Sequence, residues 1–354
     1  PITLIATAIV HHTLGDLPER RAELYEHCVQ ALSGRWDDAK EEAGAHLTGG
    51  LSRASKVRLL QRLAHAIHEQ GESGGQTLER GPAIARIRDA FPPDTRPEHD
   101  DAEAVLDLLG ARSGLLMPEG LRAWRFRHLT FQEYLTARYL CAEREDAAQV
   151  LAQRLHDPWW REVVLLAVGY KAKDAAVEGR KLVARLAEAA DRRRAPADRA
   201  RAHGVVAQAL LDLKAYQVGA IEPVAASAAP RFMALLTDPA QPGDVDARAW
   251  MGEALGAFGD PRLGWDDDAH LLAVPAGPFT RGDPGGAHEA PLQAWHLPFF
   301  RVARYPVTRA QFAAFMDAGG YDDPSLWSAG GPPQRGLAQY RAQLEQHPNH
   351  PVTE

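Results

Sequence analysis

A histidine at an abrupt change of sequence pattern is the residue best placed to do chemistry in this chain. Residues 124–127 alternate apolar and basic side chains, with the period of two that is typical of a strand. From Thr130 the apolar residues recur at helical spacing, and Thr130 followed by Glu133 predicts a capping box. His128 therefore lies at the corner between a short strand and a helix. The pattern alone leaves open whether its imidazole bonds to backbone at the helix start or contacts a ligand.

Machinery for nucleotide hydrolysis is missing from the sequence. A phosphate-binding loop needs the spacing G-x-x-x-x-G-K-[ST], followed elsewhere by an acidic residue that holds a metal. Residues 49–56 contain glycines and a lysine, but in the wrong spacing. We therefore expect no complete active site in this chain.

Candidate metal and thiol sites are few. His347-x-x-His350 has a spacing compatible with a metal, but prolines flank the pair and no third ligand can be placed, so we predict a loop pair. The acidic run 266–268 lacks the alternating spacing of a calcium loop and is predicted to be a solvated linker. Cys28 and Cys141 lie far apart in helical contexts, which fits a reducing compartment.

The composition is that of an ordinary globular protein. The chain has 354 residues, of which 45% are hydrophobic and 25% charged, so more than one domain is expected. No apolar run is long enough to span a membrane, and a net charge of −7 argues against nonspecific nucleic-acid binding. We expect a cytoplasmic protein with no membrane and no nucleic-acid partner. Neither end of the sequence reads as a natural terminus, so we expect a piece of a longer protein.

The first 140 residues predict helices followed by a hairpin. Residues 1–50 have helical apolar stripes, and three further helical faces follow at 57–67, 84–91 and 105–109. Residues 114–126 then contain two short apolar strands around a Pro-Glu-Gly turn. Three helices and a hairpin are the outline of a winged helix. The third helix carries acidic side chains and no basic one over residues 101–109, so we expect no DNA readout.

The sequence pattern changes from helical to strand-like at about residue 264. Residues 141–263 are helical by pattern, and 248–262 resemble one unit of a HEAT-like repeat that ends at Gly259-Asp260-Pro261. The basic run 191–194 is predicted to be a solvated helix end. Strands are then predicted at 271–274, 278–280 and 295–302. A helix follows at 307–316, with Thr308 as its N-cap and glycines 319–320 as its stop.

The corner at His128 resembles the end of the winged-helix module in NACHT-type signalling NTPases, a branch of the AAA-like (STAND) switch ATPases. The residues that fall on the family's pattern are Phe126, His128, Phe131, Gln132, Glu133, Tyr134, Leu135 and Ala137. The resemblance implies that His128 reaches the β-phosphate of bound ADP and holds the protein closed. Pro1 and the stretch L-P-E-R-R-A-E-L-Y-E at residues 17–26 resemble the helical segment that follows the nucleotide-binding core in this family, which implies that Pro1 packs on the adenine ring; an ordinary proline at a helix start is the alternative. The resemblance also implies that the P-loop for ADP, ATP and Mg²⁺ lies in an upstream nucleotide-binding domain.

Residues 266–354 resemble the opening of formylglycine-generating-enzyme-like domains, which have a C-type-lectin-like core. The resemblance rests on the order V-P-A-G-P-F-T-R-G-D, then L-P-F-F-R-V-A-R-Y-P-V-T-R-A-Q-F. Those enzymes use a reactive cysteine pair, and related sulfoxide synthases use a three-histidine iron site. No cysteine follows Cys141, so thiol chemistry cannot reside in this part of the chain.

These observations predict a mainly α multidomain chain with an incomplete α+β end. We expect a NACHT helical domain at 1–50, a winged helix at 51–140, a HEAT-like helical arm at 141–263 and a truncated formylglycine-generating-enzyme-like domain at 264–354. The expected function is the regulatory and sensor portion of a nucleotide-switched signalling NTPase, in bacterial defence or signal transduction. Ligand capture by the C-terminal domain would favour an ATP-bound form that assembles into a homo-oligomer.

Two alternatives concern the C-terminal domain. In the first, it is part of a formylglycine-generating or nonheme-iron sulfoxide-synthase-like oxidoreductase. In the second, it is a lectin-like scaffold whose variable loops bind a ligand. The sequence names no ligand for either alternative.

Overall fold

The structure is a computed structural model, and it divides into two compact units. It describes residues 8, 10–12, 15–18, 20–43, 52–74, 76–93, 97–215, 219–238, 244–263, 270–282, 292–327, 341, 344 and 347–353. The first unit is Pro1–Met251 and the second is Gly252–Glu354. The finer boundaries expected from the sequence, at 50/51, 140/141 and 263/264, stay predictions.

The winged-helix region of the first unit follows the predicted order of helices and strands. Its elements are α1 (Arg21–Ala43), α2 (Arg53–His68), β1 (Leu78–Glu79), α3 (Arg80–Arg88), α4 (His99–Ser113), β2 (Leu116–Glu119), β3 (Ala123–Phe126) and α5 (Leu129–Glu143). Helix α2 begins at Ser52, whose hydroxyl accepts a hydrogen bond from the Ser55 backbone N–H at 3.1 Å. Its apolar face is buried as predicted, at Val57, Leu60, Leu63, Ala64 and Ile67. This face provides much of the core of the region.

A small antiparallel sheet closes the winged-helix region. Strands β2 and β3 form the predicted hairpin, paired from Leu116 opposite Phe126 to Glu119 opposite Ala123. Gly120 has a φ of +62°, which favours glycine in the tight turn between them. The strand β1, which the sequence did not indicate, pairs with the other edge of β3 and gives the order β1-β3-β2. The sheet fixes β3, the strand that leads to His128.

An array of helices completes the first unit. It comprises α6 (Ala147–Arg154), α7 (Arg161–Asp174), α8 (Ala176–Asp191), α9 (Pro196–Ala215), α10 (Glu222–Thr237) and α11 (Val245–Phe258), the last of which crosses the division between the units. Helices α9 and α11 approach so closely that a Cβ on Gly204 would lie 2.6 Å from the Ala247 Cβ. Helix α11 ends as predicted before Gly259, which has a φ of +104°. The HEAT-like character of the array stays a prediction.

The second unit is a mixture of short strands and one capped helix. Its elements after α11 are β4 (Leu271–Val274), β5 (Gly277–Arg281), β6 (Gln293–Leu297), β7 (Phe300–Ala303) and α12 (Arg309–Asp317). Strand β4 pairs with β7 and β5 with β6, both antiparallel. The predicted strand at 295–302 is two strands, because the chain leaves the ladder at Pro298-Phe299. Thr308 is the N-cap of α12, as predicted, and forms a capping box with Gln311.

The predicted fold class is confirmed: a mainly helical multidomain region precedes a smaller α+β part. Within the described ranges, no helix combines the length and apolar character needed to cross a membrane.

Candidate functional site

The corner at His128 is a two-residue connection between β3 and α5. His128 is the N-cap of α5, with extended backbone angles of φ −138° and ψ 134°. Its carbonyl accepts hydrogen bonds from the backbone N–H groups of Phe131 at 3.2 Å and Gln132 at 3.5 Å. Phe126 before the corner and Phe131 after it are both buried. The corner is therefore held on both sides by core residues.

The imidazole of His128 is half-buried and makes no hydrogen bond within the described part of the chain. Its ring lies edge-on to Phe131, with ring centroids 6.4 Å apart and an angle of 68° between the planes. The alternative in which the side chain bonds to backbone at the helix start is therefore not what the structure shows, because the ring makes no capping hydrogen bond. Burial and the nearby Arg127 guanidinium lower the pKa of His128. A lowered pKa favours the neutral form of the ring, which offers one donor and one acceptor.

The capping box predicted at Thr130 and Glu133 is wrong. Helix α5 begins two residues earlier than a Thr130 cap requires, at Leu129, so Thr130 lies inside the first turn. Glu133 does not return to the helix start but lies buried, with 8% of its surface exposed. Burial first, and the Glu162 carboxylate second, raise the pKa of Glu133 to about 7.

The other residues of the pattern around His128 attach α5 to its neighbours. The Gln132 side-chain amide lies 3.3 Å from Nδ1 of His68 in α2. The His68 ring stacks on Trp159, with centroids 4.7 Å apart, and the Trp159 indole N–H donates to the His68 carbonyl at 3.0 Å. The fully buried apolar members are Phe131, Tyr134, Leu135 and Ala137. These residues position the corner, at which the His128 ring is partly exposed.

The third helix of the winged helix has an acidic face that is already paired. Arg80 at the start of α3 bonds to Glu103 at 2.6 Å and to Asp107 at 2.7 and 2.8 Å, both on α4. Helix α4 extends beyond the predicted 101–109, to His99–Ser113, and carries Asp100 and Asp101 in its first turn. Negative charge on this helix would repel a DNA backbone. The absence of a nucleic-acid partner stays a prediction.

The pair His347 and His350 has a third neighbour that the sequence did not place. Nδ1 of His347 lies 3.2 Å from one carboxylate oxygen of Glu253, and Nε2 of His350 lies 2.5 Å from the other. The two rings stack, with centroids 4.6 Å apart and planes inclined by 15°. Glu253 lies on α11, 94 residues before His347. No local spacing could have indicated it.

Two sequence candidates lie outside the described residues, namely Pro1 and the acidic run 266–268. The contact expected between Pro1 and an adenine ring therefore stays a prediction. Both cysteines are described: neither forms a disulfide, both are buried, and burial raises the pKa of the Cys141 thiol to about 12. A thiol with so high a pKa is not a reactive nucleophile at pH 7.

Comparison with known proteins identifies two regions. Residues 21–140 match the family described as a winged helix-turn-helix domain C-terminal to NACHT. Residues 264–354 match the sulfatase-modifying factor enzyme 1-like domain. The hercynine oxygenase of Mycolicibacterium smegmatis is 42% identical over 66 residues, which cover 17% of this chain and 15% of that protein. No solved structure matches the chain.

Both resemblances expected from the sequence are thus confirmed at the level of the domains. The chain contains a winged helix of the type that lies C-terminal to NACHT, at residues 21–140, followed at residues 264–354 by a sulfatase-modifying-factor-like domain, also called formylglycine-generating-enzyme-like.

Proposed function

We propose that this chain is the regulatory and sensor portion of a nucleotide-switched signalling NTPase. In this proposal His128 binds the β-phosphate of ADP, which an upstream nucleotide-binding domain of the same protein supplies. The C-terminal domain binds a ligand that is still to be identified. The observation that carries the proposal is the free imidazole of His128, fixed at a rigid corner of a winged helix of the NACHT-associated type.

The chain's own residues fit one part of a nucleotide site. A neutral imidazole can donate one hydrogen bond to a phosphate oxygen, and a nearby negative charge would favour its protonation. The corner restricts the ring because Phe126 and Phe131 are buried on either side of it. When bound, ADP would supply the diphosphate charge that this ring is placed to meet. No phosphate loop occurs in the sequence, so Mg²⁺ and the remaining phosphate contacts are assigned to the upstream domain.

The test is ADP release from the complete protein, which carries the nucleotide-binding domain together with this chain. We expect His128→Ala to release ADP about 10- to 100-fold faster, because a hydrogen bond to a charged group contributes roughly 1.5–3 kcal/mol. Basal signalling activity should rise in the same variant. The measurement is the loss of bound labelled ADP after dilution into unlabelled nucleotide.

Arg127→Ala is the matched control for that experiment. Arg127 is the exposed neighbour of His128, and its guanidinium Nε donates to the Gly114 carbonyl at 3.3 Å. Its removal should change ADP release less than His128→Ala does, since its side chain is bonded within the winged helix and acts on His128 only through its charge. Unchanged ADP release in His128→Ala would remove the nucleotide role of His128.

A second candidate function is favoured by the match to a hercynine oxygenase. In this candidate the C-terminal domain, once complete, belongs to an oxidoreductase related to the nonheme-iron sulfoxide synthases. The described residues do not supply a three-histidine iron site: the two ligand groups found among them each contain one or two histidines together with carboxylates. Oxygen uptake by the complete protein that requires hercynine, a thiol co-substrate such as cysteine, and iron(II) together would favour this candidate. Its absence would leave the switch as the stronger account.

A further inference from the structure

Three side chains in the second unit converge in a way that the proposed switch does not require. They are Glu253 on α11 and His347 and His350 in the turn before Pro351. One ligand atom from each lies within 4.8 Å of the other two. Each histidine faces a different oxygen of the same carboxylate, at 3.2 and 2.5 Å. We propose that these residues bind one divalent transition-metal ion, of which zinc is the best fit.

The chemistry of the three ligands selects the class of metal. Two imidazole nitrogens and one carboxylate oxygen suit zinc and its first-row neighbours, whereas calcium and magnesium prefer sites built from oxygen. Bonds of about 2.0–2.2 Å to a tetrahedral zinc place neighbouring ligand atoms roughly 3.3 Å apart. The two nitrogen–oxygen distances of 3.2 and 2.5 Å are at or below this spacing, so the ligand atoms must move apart to admit the ion. Glu253 offsets one of the two positive charges, and two neutral histidines leave the site with a net charge of +1.

The backbone of the histidine turn is fixed by contacts that do not use the ring nitrogens. The His350 N–H donates to the His347 carbonyl at 3.0 Å. The carbonyls of Pro348 and His350 accept hydrogen bonds from the start of α12, each at 2.9 Å. The turn is therefore held in place before any metal binds, which lowers the entropy cost of binding.

Asn349 ties the same turn to the helix that carries Glu253. Its side-chain amide donates to the Gly252 carbonyl at 3.1 Å and to the Asp260 carboxylate at 2.8 Å. Gly252 is adjacent to Glu253, so this hydrogen bond fixes the spacing between the carboxylate and the histidines. A Cβ on Gly256, one turn further along α11, would lie 2.8 Å from Cγ of Asn349. The close approach of turn and helix thus depends on a glycine.

The cluster is accessible to an ion from solvent. The side chains of His347 and His350 are 50% and 48% exposed, and that of Glu253 is 22% exposed. Three protein ligands leave at least one coordination position of a tetrahedral zinc for water, as in catalytic zinc sites. The competing account is a pair of surface ion pairs with no metal, and such pairs contribute about 0–1 kcal/mol each.

Zinc binding by the 354-residue chain, without a histidine tag, distinguishes the proposed zinc site from a pair of surface ion pairs. Isothermal titration with zinc chloride at pH 7.5 should give one ion per chain. We expect Glu253→Gln and His350→Ala each to weaken zinc binding at least about tenfold, by analogy with the loss of supporting residues at known sites. Glu253→Gln nearly preserves side-chain shape, and thermal unfolding without metal checks that each variant folds. Zinc should raise the melting temperature of wild type and not of either variant.

His99→Ala is the matched control, because His99, Asp100 and Glu103 form the other described group of this kind. Glu103 in that group is already bonded to Arg80 at 2.6 Å. The control should therefore bind zinc as wild type does. Failure of the wild-type chain to bind zinc, or equal zinc affinity in wild type, Glu253→Gln and His350→Ala, would overturn the proposal.

Discussion

The His128 side chain takes no part in capping α5, and this leaves its ring nitrogens available. The carbonyl of His128 accepts hydrogen bonds from Phe131 and Gln132, the third and fourth residues of α5, and its ring contacts Phe131 by an edge. Removing the ring should therefore cost less stability than removing a core aromatic residue. This difference makes His128→Ala informative, because an effect on ADP release can be separated from an effect on folding.

Glu133 provides a test, at the scale of a single residue, of how burial beside His128 raises the pKa of a carboxyl group. Its neighbours are Glu162 and Arg161 on α7 and Arg21 on α1, and its pKa of about 7 lies above the ordinary 4.5. A raised carboxylate pKa means that the native state binds the proton more tightly. The stability that this carboxyl contributes is therefore fully present below pH 4.5 and is lost as the pH rises through 7. We expect Glu133→Gln to remove this loss and to be more stable than wild type at pH 8 by about 1–3 kcal/mol.

Urea denaturation at pH 5 and pH 8 measures that difference. The matched control is Glu188→Gln, since Glu188 is exposed on α8. The control should change stability by less than about 0.5 kcal/mol at either pH. An equal effect of Glu133→Gln at both pH values would contradict the raised pKa.

Residue types and spacing could indicate candidate site residues, but not the residues that they contact in the folded chain. His128 was found because the sequence period changes at its position, and the histidine pair was found from its spacing. Glu253 was not found, because the fold brings together residues 94 positions apart. The burial of Glu133 was missed for a related reason, since the capping-box pattern describes only local structure and the packing of α7 against α5 decides the outcome.

At the scale of elements, helices and strands with a strong apolar period were predictable. Very short strands, and two strands that follow one another closely, were not. The buried face of α2 and the capped start of α12 follow directly from spacing and from Thr308. Strand β1 has two residues, too few to show a period, and it exists because β3 offers it a free edge. The single predicted strand at 295–302 divides because proline cannot donate to a sheet ladder.

The contact between α9 and α11 gives an element-scale prediction. Gly204→Ala would place a Cβ 2.6 Å from Cβ and 2.7 Å from Cα of Ala247, so the helices must move apart. We expect a loss of about 1–3 kcal/mol in stability, despite the higher helix propensity of alanine. The midpoint of urea unfolding is the measurement.

Gly252→Ala is the control for that contact. Gly252 lies in the same helix α11, and a Cβ there meets nothing within 4 Å. This variant should be neutral, or more stable by up to about 1 kcal/mol. Equal destabilisation by both substitutions would show that glycine flexibility, rather than close helix packing, decides the result.

For the molecule as a whole, helix α5 connects His128, the residue proposed to bind ADP, to the array of helices that completes the first unit. It carries His128 at its start, packs along α2 and α7, and contacts His68 through Gln132. The stacked Trp159 precedes α7 by two residues and also bonds to His68. A change in the contacts of His128 can therefore be transmitted through packed helices rather than through a loop. This arrangement supports the proposal that the bound nucleotide controls the conformation of the array of helices.

The most direct test of that proposal is the pKa of His128 in the complete protein with and without ADP. Deuterium exchange at the imidazole C2 position, followed by mass spectrometry, gives the value for a single histidine. Without nucleotide the pKa should be below 6.5, because burial lowers it. With ADP bound it should rise, because the diphosphate stabilises the protonated ring. The same pKa in both states would contradict the account, since the imidazole would then have no contact with the nucleotide.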